Sequence, residues 1–160
     1  MASNPKVIEP EVQAKEPVKL AEKTDLRPTK ANQGFIMLDI IAKGEKAPTF
    51  KATDANDQTI KLSQFKNKNN VVLIFYQGSF CGVCAKQLAG FQADINKFKA
   101  ANTEIIAVSA DDTEHAQTTL GELGLSFHVI PDPKKEIIKQ YGVNNVPRGG
   151  IAWPSVYVLD

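Results

Sequence analysis

Residues 71–88 read VVLIFYQGSFCGVCAKQL, and this stretch decides the fold. It begins with a continuous apolar run over residues 71–76, which is the pattern of a strand buried on both faces of a sheet. Two cysteines, Cys81 and Cys84, follow after the short loop QGSF. Beyond them, apolar residues recur at three- and four-residue spacing and predict one long helix over residues 82–101. A cysteine pair therefore lies between a buried strand and the start of a helix.

The same patterns predict the remaining elements. Short strands are predicted at residues 49–53, 59–62, 104–109, 127–130 and 155–159, and helices at residues 112–123 and 133–141, with a helical turn at residues 63–65. Strands that alternate with helices indicate an α/β protein with a central, mainly parallel or mixed sheet and helices on both faces. A chain of 160 residues is long enough for one such domain.

The first 34 residues differ in composition from the rest of the chain. They hold charged residues of both signs and four of the nine prolines, with few apolar residues and no periodicity. Such a stretch buries too little apolar surface to offset its ordering entropy, so residues 1–34 are predicted to be a flexible charged tail. Residues 35–160 then form the folded domain, and the apolar run at residues 35–41 is expected to pack against it.

The charge balance bears on the partners of the protein. The sequence has 19 basic and 18 acidic residues and a formal net charge of +1, which gives no electrostatic footprint for nucleic acid or an anionic membrane. No apolar run reaches the roughly 20 residues that a membrane span needs. We therefore expect neither a nucleic-acid nor a membrane partner. The sequence shows no export signal, so we expect a cytoplasmic location, with an exported protein whose leader has been removed as the alternative.

Two cysteines separated by two residues have three common uses, namely half of a zinc site, a structural disulfide and a redox dithiol. Zinc takes four ligands in structural sites, and His115 and His128 lie far along the chain in other elements, so no metal site is expected. A disulfide that closes so short a loop would constrain the unfolded chain little. A thiolate at a helix N-terminus is stabilised by free backbone N–H groups and by the helix dipole, which lowers its pKa. This favours a redox pair in which Cys81 attacks and Cys84 resolves.

Trp153 and Pro154 stand just before the last predicted strand, where a proline removes no ladder hydrogen bond. The bond between them is either an ordinary trans bond in a turn or a cis bond that turns the chain beside the cysteines, and the sequence leaves both open. Trp153 is predicted either to offer a flat apolar surface to a substrate chain or to pack in the core.

Residues 44–160 resemble the thioredoxin-fold redoxins, in the branch around the alkyl hydroperoxide reductase and thiol-specific antioxidant proteins. Three stretches carry the likeness: GEKAPTF at 44–50 with LSQF at 62–65, FYQGSFCGVCAKQL at 75–88, and PDP at 131–133 through YGV at 141–143 and IAWPSVYVLD at 151–160. The resemblance implies a thioredoxin-like fold and thiol redox chemistry without a bound organic cofactor. It implies re-reduction by an external thiol, such as a thioredoxin or glutathione system. Phe80 precedes Cys81 where aromatic residues recur in the family, and is expected to shield the thiolate.

Peroxiredoxins resemble this chain but use a Pro-x-x-x-Thr-x-x-Cys segment and a later arginine, which position the peroxide. Counted without gaps, their attacking cysteine falls on Cys84, their threonine on Cys81, their proline on Gln77 and their arginine on Pro154. Because the peroxide-positioning groups are missing from their usual places, the sequence favours thiol–disulfide exchange. The alternative is a thiol-dependent peroxidase that reduces hydrogen peroxide or alkyl hydroperoxides, with Cys84 or Cys81 as the attacking thiolate. A binding module with an incidental cysteine pair also stays open.

Redoxins usually continue into another strand and a final helix beyond the position matched by Asp160. The resemblance therefore implies a domain whose C-terminal strand and helix are missing. A missing partner strand would leave an exposed sheet edge, which invites pairing or aggregation.

Overall fold

The computed structural model describes residues 40–160. The predicted tail over residues 1–34 and most of the apolar run at residues 35–41 lie outside this part of the chain. The described strands are β1 Lys51–Thr53, β2 Thr59–Lys61, β3 Asn70–Phe75, β4 Thr103–Ser109, β5 His128–Pro131, β6 Asn144–Asn145, β7 Ile151–Ala152 and β8 Ser155–Leu159. The described α-helices are α1 Gly82–Ala93, α2 Ile95–Ala100, α3 Thr113–Glu122 and α4 Glu136–Gln140. Short 3₁₀ helices span Leu62–Phe65 and Val146–Arg148. The first of these contains the helical turn predicted at residues 63–65.

The central sheet has four strands in the order β5-β4-β3-β8. β3, β4 and β5 run parallel to one another, and β8 runs antiparallel to β3, with Phe75 opposite Ser155. The prediction of a mainly parallel or mixed sheet is therefore confirmed. Within the described residues β8 pairs only with β3, so β8 is an edge strand of this sheet.

Each face of the sheet has its own apolar core, because successive side chains of a strand point to opposite faces. On one face, Leu73 and Phe75 of β3 lie in a cluster with residues of α4 and of the β1–β2 hairpin. On the other face, Val72 and Ile74 lie in a cluster with residues of α1 and α3. Helices thus cover both faces, as predicted, and β3 is buried on both sides.

The predicted helix over residues 82–101 is two helices, which is a correction to the sequence analysis. Asp94 separates α1 from α2 and has ψ near 10°, outside the helical range. Aspartate is a weak helix former, and the glycine at position 90, four residues before it, weakens the preceding turn further. The apolar face nevertheless continues across the break, since the rings of Phe91 and Phe98 pack with centroids 5.7 Å apart. None of the described helices is long and apolar enough to cross a membrane.

The helix predicted over residues 133–141 begins only at Glu136. Lys135 adopts the left-handed conformation, with φ at 60°, which a helix does not allow. Residues 133–135 therefore form a non-helical turn before α4. The carboxylate of Asp132 accepts hydrogen bonds from the backbone N–H groups of Glu136 and Ile138, both at 2.9 Å, and so ties the turn to the helix. Two strands were not predicted, β6 and β7, because two residues are too few to show alternation.

A buried aspartate connects the β1–β2 turn to β5, and its loss is expected to destabilise the fold. The Asp54 side chain is fully buried, accepts N–H groups from Asn56 and Gln58 at 2.9 Å each, and contacts Nδ1 of His128 at 2.8 Å. Asp54→Ala leaves two N–H donors without a charged acceptor, so we expect a loss of about 2 to 4 kcal/mol in the free energy of unfolding. Urea unfolding measures it.

Asp57 in the same turn supplies the matched control. It is exposed and has φ at 60°, a conformation that asparagine tolerates well. Asp57→Asn is therefore expected to change the free energy of unfolding by less than about 0.5 kcal/mol. Equal losses in the two variants would show that the buried contacts of Asp54 contribute nothing of their own.

Candidate redox site

The cysteine pair begins where β3 leaves the sheet. After Phe75 the chain enters a tight turn, which is closed by a hydrogen bond from the Cys81 N–H to the Gly78 carbonyl at 3.1 Å. Gly78 is buried and has φ at 150°. A Cβ atom at this position would lie 2.7 Å from Cε1 of Phe80 and 2.9 Å from Oδ1 of Asp111, so a side chain here would have to displace both of these side chains. We call residues 77–81 the redox loop.

Cys81 and Cys84 are joined by a disulfide, with their Cα atoms 5.2 Å apart. That separation lies within the usual range for disulfides. The two cysteines differ in their surroundings, because Cys84 in the first turn of α1 is only 4% exposed and packs in the core, whereas Cys81 is half-buried. Cys81 is therefore the more accessible of the two cysteines.

The start of α1 supplies the electrostatic setting of Cys81. Cys81 is the N-cap residue of this 12-residue helix, and the Cys84 N–H donates to the Cys81 sulfur at 3.2 Å. The first turn of α1 holds no acidic residue. Free N–H groups and the positive end of the helix dipole therefore stabilise negative charge on the Cys81 sulfur when the disulfide is reduced.

Two exposed aromatic residues lie at this end of the sheet, Phe80 within the redox loop and Trp153 just before β8. The Phe80 ring lies against Gly78 and is 70% exposed. Trp153 is 39% exposed and Pro154 is exposed, so Trp153 does not pack in the core. Because Ser155 pairs with Phe75, Trp153 and Pro154 lie at the end of β3 from which the redox loop departs.

The described residues contain no cis peptide bond, so the bond between Trp153 and Pro154 is trans. The cis alternative considered from the sequence is wrong. The Trp153 N–H donates to the Val143 carbonyl at 2.7 Å, which fixes the chain before it turns into β8 without a cis bond.

Asp111 is a contact of the redox loop that the sequence analysis did not predict. Its Oδ2 atom accepts the backbone N–H of Ser79 at 2.8 Å and the hydroxyl of Ser109 at 2.9 Å. The signal that would have found it is topological, because the carboxyl ends of the parallel strands β3 and β4 meet at one edge of the sheet. The neighbouring Asp112 instead caps α3 by accepting the His115 N–H at 2.9 Å.

Across residues 40–160, no group of three or more histidine, cysteine, aspartate or glutamate side chains is placed to hold a metal ion. The two histidines each contact one aspartate. Nδ1 of His115 lies 2.7 Å from Asp112, and this hydrogen bond raises the pKa of His115. The pKa of Asp112 is lowered by the backbone N–H of His115 and, to a smaller extent, by the same side-chain hydrogen bond.

Tyr76 lies between β3 and the redox loop and carries a buried hydroxyl without a hydrogen-bond partner among the described side chains. Burial raises the pKa of Tyr76 to about 12; the nearby hydroxyls of Ser109 and Thr119 oppose this shift, and the charge of Asp111 adds to it.

This shift predicts a loss of stability in alkali. An unfolded tyrosine releases its proton near pH 10, so the stability that neutral Tyr76 contributes is present below pH 10 and is lost as the pH rises toward 12. Crossing the whole interval is expected to lower the free energy of unfolding by roughly 3 kcal/mol. Urea unfolding at several pH values measures it. Tyr76→Phe should weaken the pH dependence without removing it, because burial also raises the pKa of Tyr141 and of Tyr157. An unchanged dependence in that variant would contradict the assignment.

A mixed sheet covered by helices on both faces, with a cysteine pair at the start of the helix after a central strand, defines a thioredoxin-like fold. Solved structures agree. Peroxidoxin BcpB from Mycobacterium tuberculosis superimposes with a TM-score of 0.67 at 19% sequence identity, covering 73% of this chain and 77% of the other.

The model of the AhpC/TSA family matches residues 43–160, and the chain belongs to this family. The resemblance read from the sequence is thereby confirmed. The chain is similar to a chloroplastic 2-cysteine peroxiredoxin of Chattonella marina var. antiqua, at 36% identity over 130 residues. It is also similar to a chloroplastic peroxiredoxin Q of Triticum aestivum, at 32% identity over 120 residues. These matches cover 75% of this chain but only 66% and 55% of the two relatives.

Proposed function

We propose that the protein is a thiol–disulfide oxidoreductase that cycles Cys81 and Cys84 between dithiol and disulfide. One observation carries the proposal. The two sulfurs are close enough to bond, and they are unequally exposed at the N-terminus of α1. An accessible sulfur beside a sheltered one is the arrangement that disulfide exchange needs, because one sulfur meets the substrate and the other completes the reaction.

In the proposed cycle, the Cys81 thiolate attacks one sulfur of a substrate disulfide. The substrate S–S bond breaks, a mixed disulfide forms at Cys81, and the first substrate thiolate leaves and takes up a proton. The Cys84 thiol loses its proton and attacks the Cys81 sulfur, which releases the second substrate thiolate. Two electrons have then passed to the substrate, and an external dithiol or two glutathione molecules must reduce the Cys81–Cys84 disulfide again.

Exposed apolar side chains near Cys81 support a polypeptide substrate. Phe80 is 70% exposed and Val83 is 80% exposed, and these two residues flank Cys81 on either side in sequence. Trp153, with Pro154 next to it, adds a further exposed apolar surface at the same end of the sheet. We assign Phe80, Trp153 and Pro154 to shaping this docking surface, which for Trp153 is one of the two alternatives that the sequence left open.

Peroxidase activity is the second candidate, and the relatives named as peroxiredoxins favour it. In that reaction a cysteine thiolate attacks a peroxide oxygen, the O–O bond breaks, and the hydroxide or alkoxide leaves with a proton as water or an alcohol. The second cysteine then attacks the sulfenic acid and expels a second water. Cys84, at the position of the peroxiredoxin cysteine, is only 4% exposed in the disulfide form, which weighs against direct attack by peroxide.

Matched assays of the reduced protein separate the two candidates. The first follows reduction of insulin disulfides, and the second follows thiol loss after stopped-flow mixing with hydrogen peroxide. The proposal predicts rapid insulin reduction and slow reaction with peroxide. Fast oxidation by peroxide that Cys84→Ser abolishes would establish the peroxidase instead, and inactivity in both assays would refute both candidates.

The reductant and the compartment are proposed in general terms. A thiol reductant such as a thioredoxin or glutathione system would regenerate the dithiol. The sequence analysis expects a cytoplasmic location, whereas the two relatives are named as chloroplastic. The reduction potential bears on this choice, since reducing compartments suit values near that of thioredoxin, about −270 mV, and oxidising ones suit values near −120 mV.

A further inference from the structure

We propose that Asp111 is a positioning residue of the redox site, which fixes the turn that carries Cys81 and thereby stabilises the Cys81–Cys84 disulfide. The proposal rests on the function proposed above, and it adds to that function a residue outside the cysteine pair. Asp111 acts through the redox loop and need not touch the substrate or the reacting sulfurs.

The first step is the contact between Asp111 and the loop. Oδ2 of Asp111 accepts the Ser79 N–H at 2.8 Å, and the Ser79 hydroxyl lies 3.5 Å from Oδ1. Ser79 lies inside the turn that the Cys81 N–H closes onto the Gly78 carbonyl. The carboxylate thus holds the turn from outside, two residues before Cys81.

The second step is the anchorage of Asp111 itself. Ser109, the fully buried last residue of β4, donates its hydroxyl to Oδ2 of Asp111 at 2.9 Å, and its oxygen accepts the Asp111 N–H at 3.3 Å. The Ser109 carbonyl accepts the Asp132 N–H at 2.8 Å, which fixes the end of β4 in turn. The Asp111 side chain therefore connects the redox loop to the buried end of β4.

The third step is the close fit between the carboxylate and the loop. A Cβ atom on Gly78 would lie 2.9 Å from Oδ1 of Asp111, so the Asp111 carboxylate lies directly against the Gly78 backbone. A loop held on one side by Asp111 and on the other by the N-terminus of α1 has few alternative positions for Cys81. Restricting those positions raises the effective concentration of one thiol near the other, which favours closure of the disulfide.

The test compares the disulfide–glutathione equilibrium of variants, read as the fraction of alkylatable thiols in defined glutathione buffers. Asp111→Ala is expected to lower the equilibrium stability of the disulfide about tenfold, which corresponds to a reduction potential about 30 mV less negative. Asp111→Ser, whose side chain is too short to reach Ser79, is the second loss variant if the alanine variant does not fold. Asp111→Asn should remain within about twofold of wild type, because its amide can accept from Ser79 and still bond Ser109.

Asp112→Ala is the matched control, since Asp112 caps α3 and its recorded contacts are to that helix. It should lower the thermal stability without moving the glutathione equilibrium. An unchanged equilibrium in the Asp111 loss variants would overturn the proposal. So would an equal change in Asp111→Asn, which would point to charge, or in Asp112→Ala, which would point to general stability. The disulfide–glutathione equilibrium is measured without turnover of a substrate. Inactivity of the wild type toward insulin would therefore refute the proposed function, while the effect of Asp111 on the stability of the disulfide could still be determined.

Discussion

Cys81→Ser is expected to abolish disulfide reduction, with a loss of about a thousandfold or more in the rate of insulin turnover. The reason is chemical, because a serine hydroxyl stays protonated near neutral pH and forms no mixed disulfide. Cys81 is the half-buried sulfur at the N-terminus of α1, whereas Cys84 is sheltered, so no other group of the pair can replace it at the surface. Insulin reduction by the variant, with dithiothreitol as the reductant, measures the loss.

Val83→Ala is the matched control for this variant. Val83 lies between the two cysteines on the same helical turn and is 80% exposed. Its truncation should leave the chemistry intact and change turnover by no more than a few-fold through weaker substrate contact. Full activity in Cys81→Ser would rule out Cys81 as the attacking thiol. A wild-type rate no higher than that of dithiothreitol alone would leave a binding module with an incidental cysteine pair.

Phe75→Ala is expected to cause the largest loss of stability, about 3 to 5 kcal/mol in the free energy of unfolding. The Phe75 side chain is fully buried, and its ring packs against Tyr141 at 5.3 Å and Tyr157 at 6.0 Å between centroids. These two tyrosines are held in place by hydrogen bonds, from Tyr141 to the Pro48 carbonyl and from Tyr157 to the Tyr141 carbonyl. The surrounding side chains therefore cannot collapse readily into the cavity, and urea unfolding measures the cost.

Val158→Ala on the adjacent strand is the comparison variant. Val158 is 73% exposed, so its truncation should change the free energy of unfolding by less than about 0.5 kcal/mol. A loss below about 1 kcal/mol for Phe75→Ala would contradict the close packing of this core. Because Phe75 ends β3 just before the redox loop, the same variant should also reduce activity.

The two inner strands of the central sheet, β3 and β4, were predictable because they are long apolar runs. Residues 71–76 and 104–109 are buried on both faces, and such runs report burial directly. The break at Asp94 and the late start of α4 at Glu136 were not predictable from periodicity. Both depend on backbone angles and side-chain hydrogen bonds that leave the spacing of apolar residues unchanged, as the carboxylate of Asp132 illustrates.

Part of the candidate site was also predictable from the sequence and part was not. The cysteine pair is local in sequence, so its place at the start of a helix was predicted, and the structure brings both sulfurs together. Asp111 is 32 residues away from Ser79, and only the parallel pairing of β3 with β4 brings them together. The sequence predicts a helix that begins at residue 112, and Asp112 caps it. Nothing in the sequence pattern indicates that the neighbouring Asp111 binds the redox loop.

The central claim is that Cys81 meets the substrate and Cys84 completes the reaction, and trapping of the mixed disulfide tests it most directly. Reduced Cys84→Ser protein is incubated with a disulfide-linked peptide and digested without reduction, and the attachment site is read by mass spectrometry. The account predicts a stable mixed disulfide between Cys81 and the peptide, and no comparable adduct in Cys81→Ser. A stable adduct on Cys84 in the Cys81→Ser protein, with none on Cys81, would contradict it.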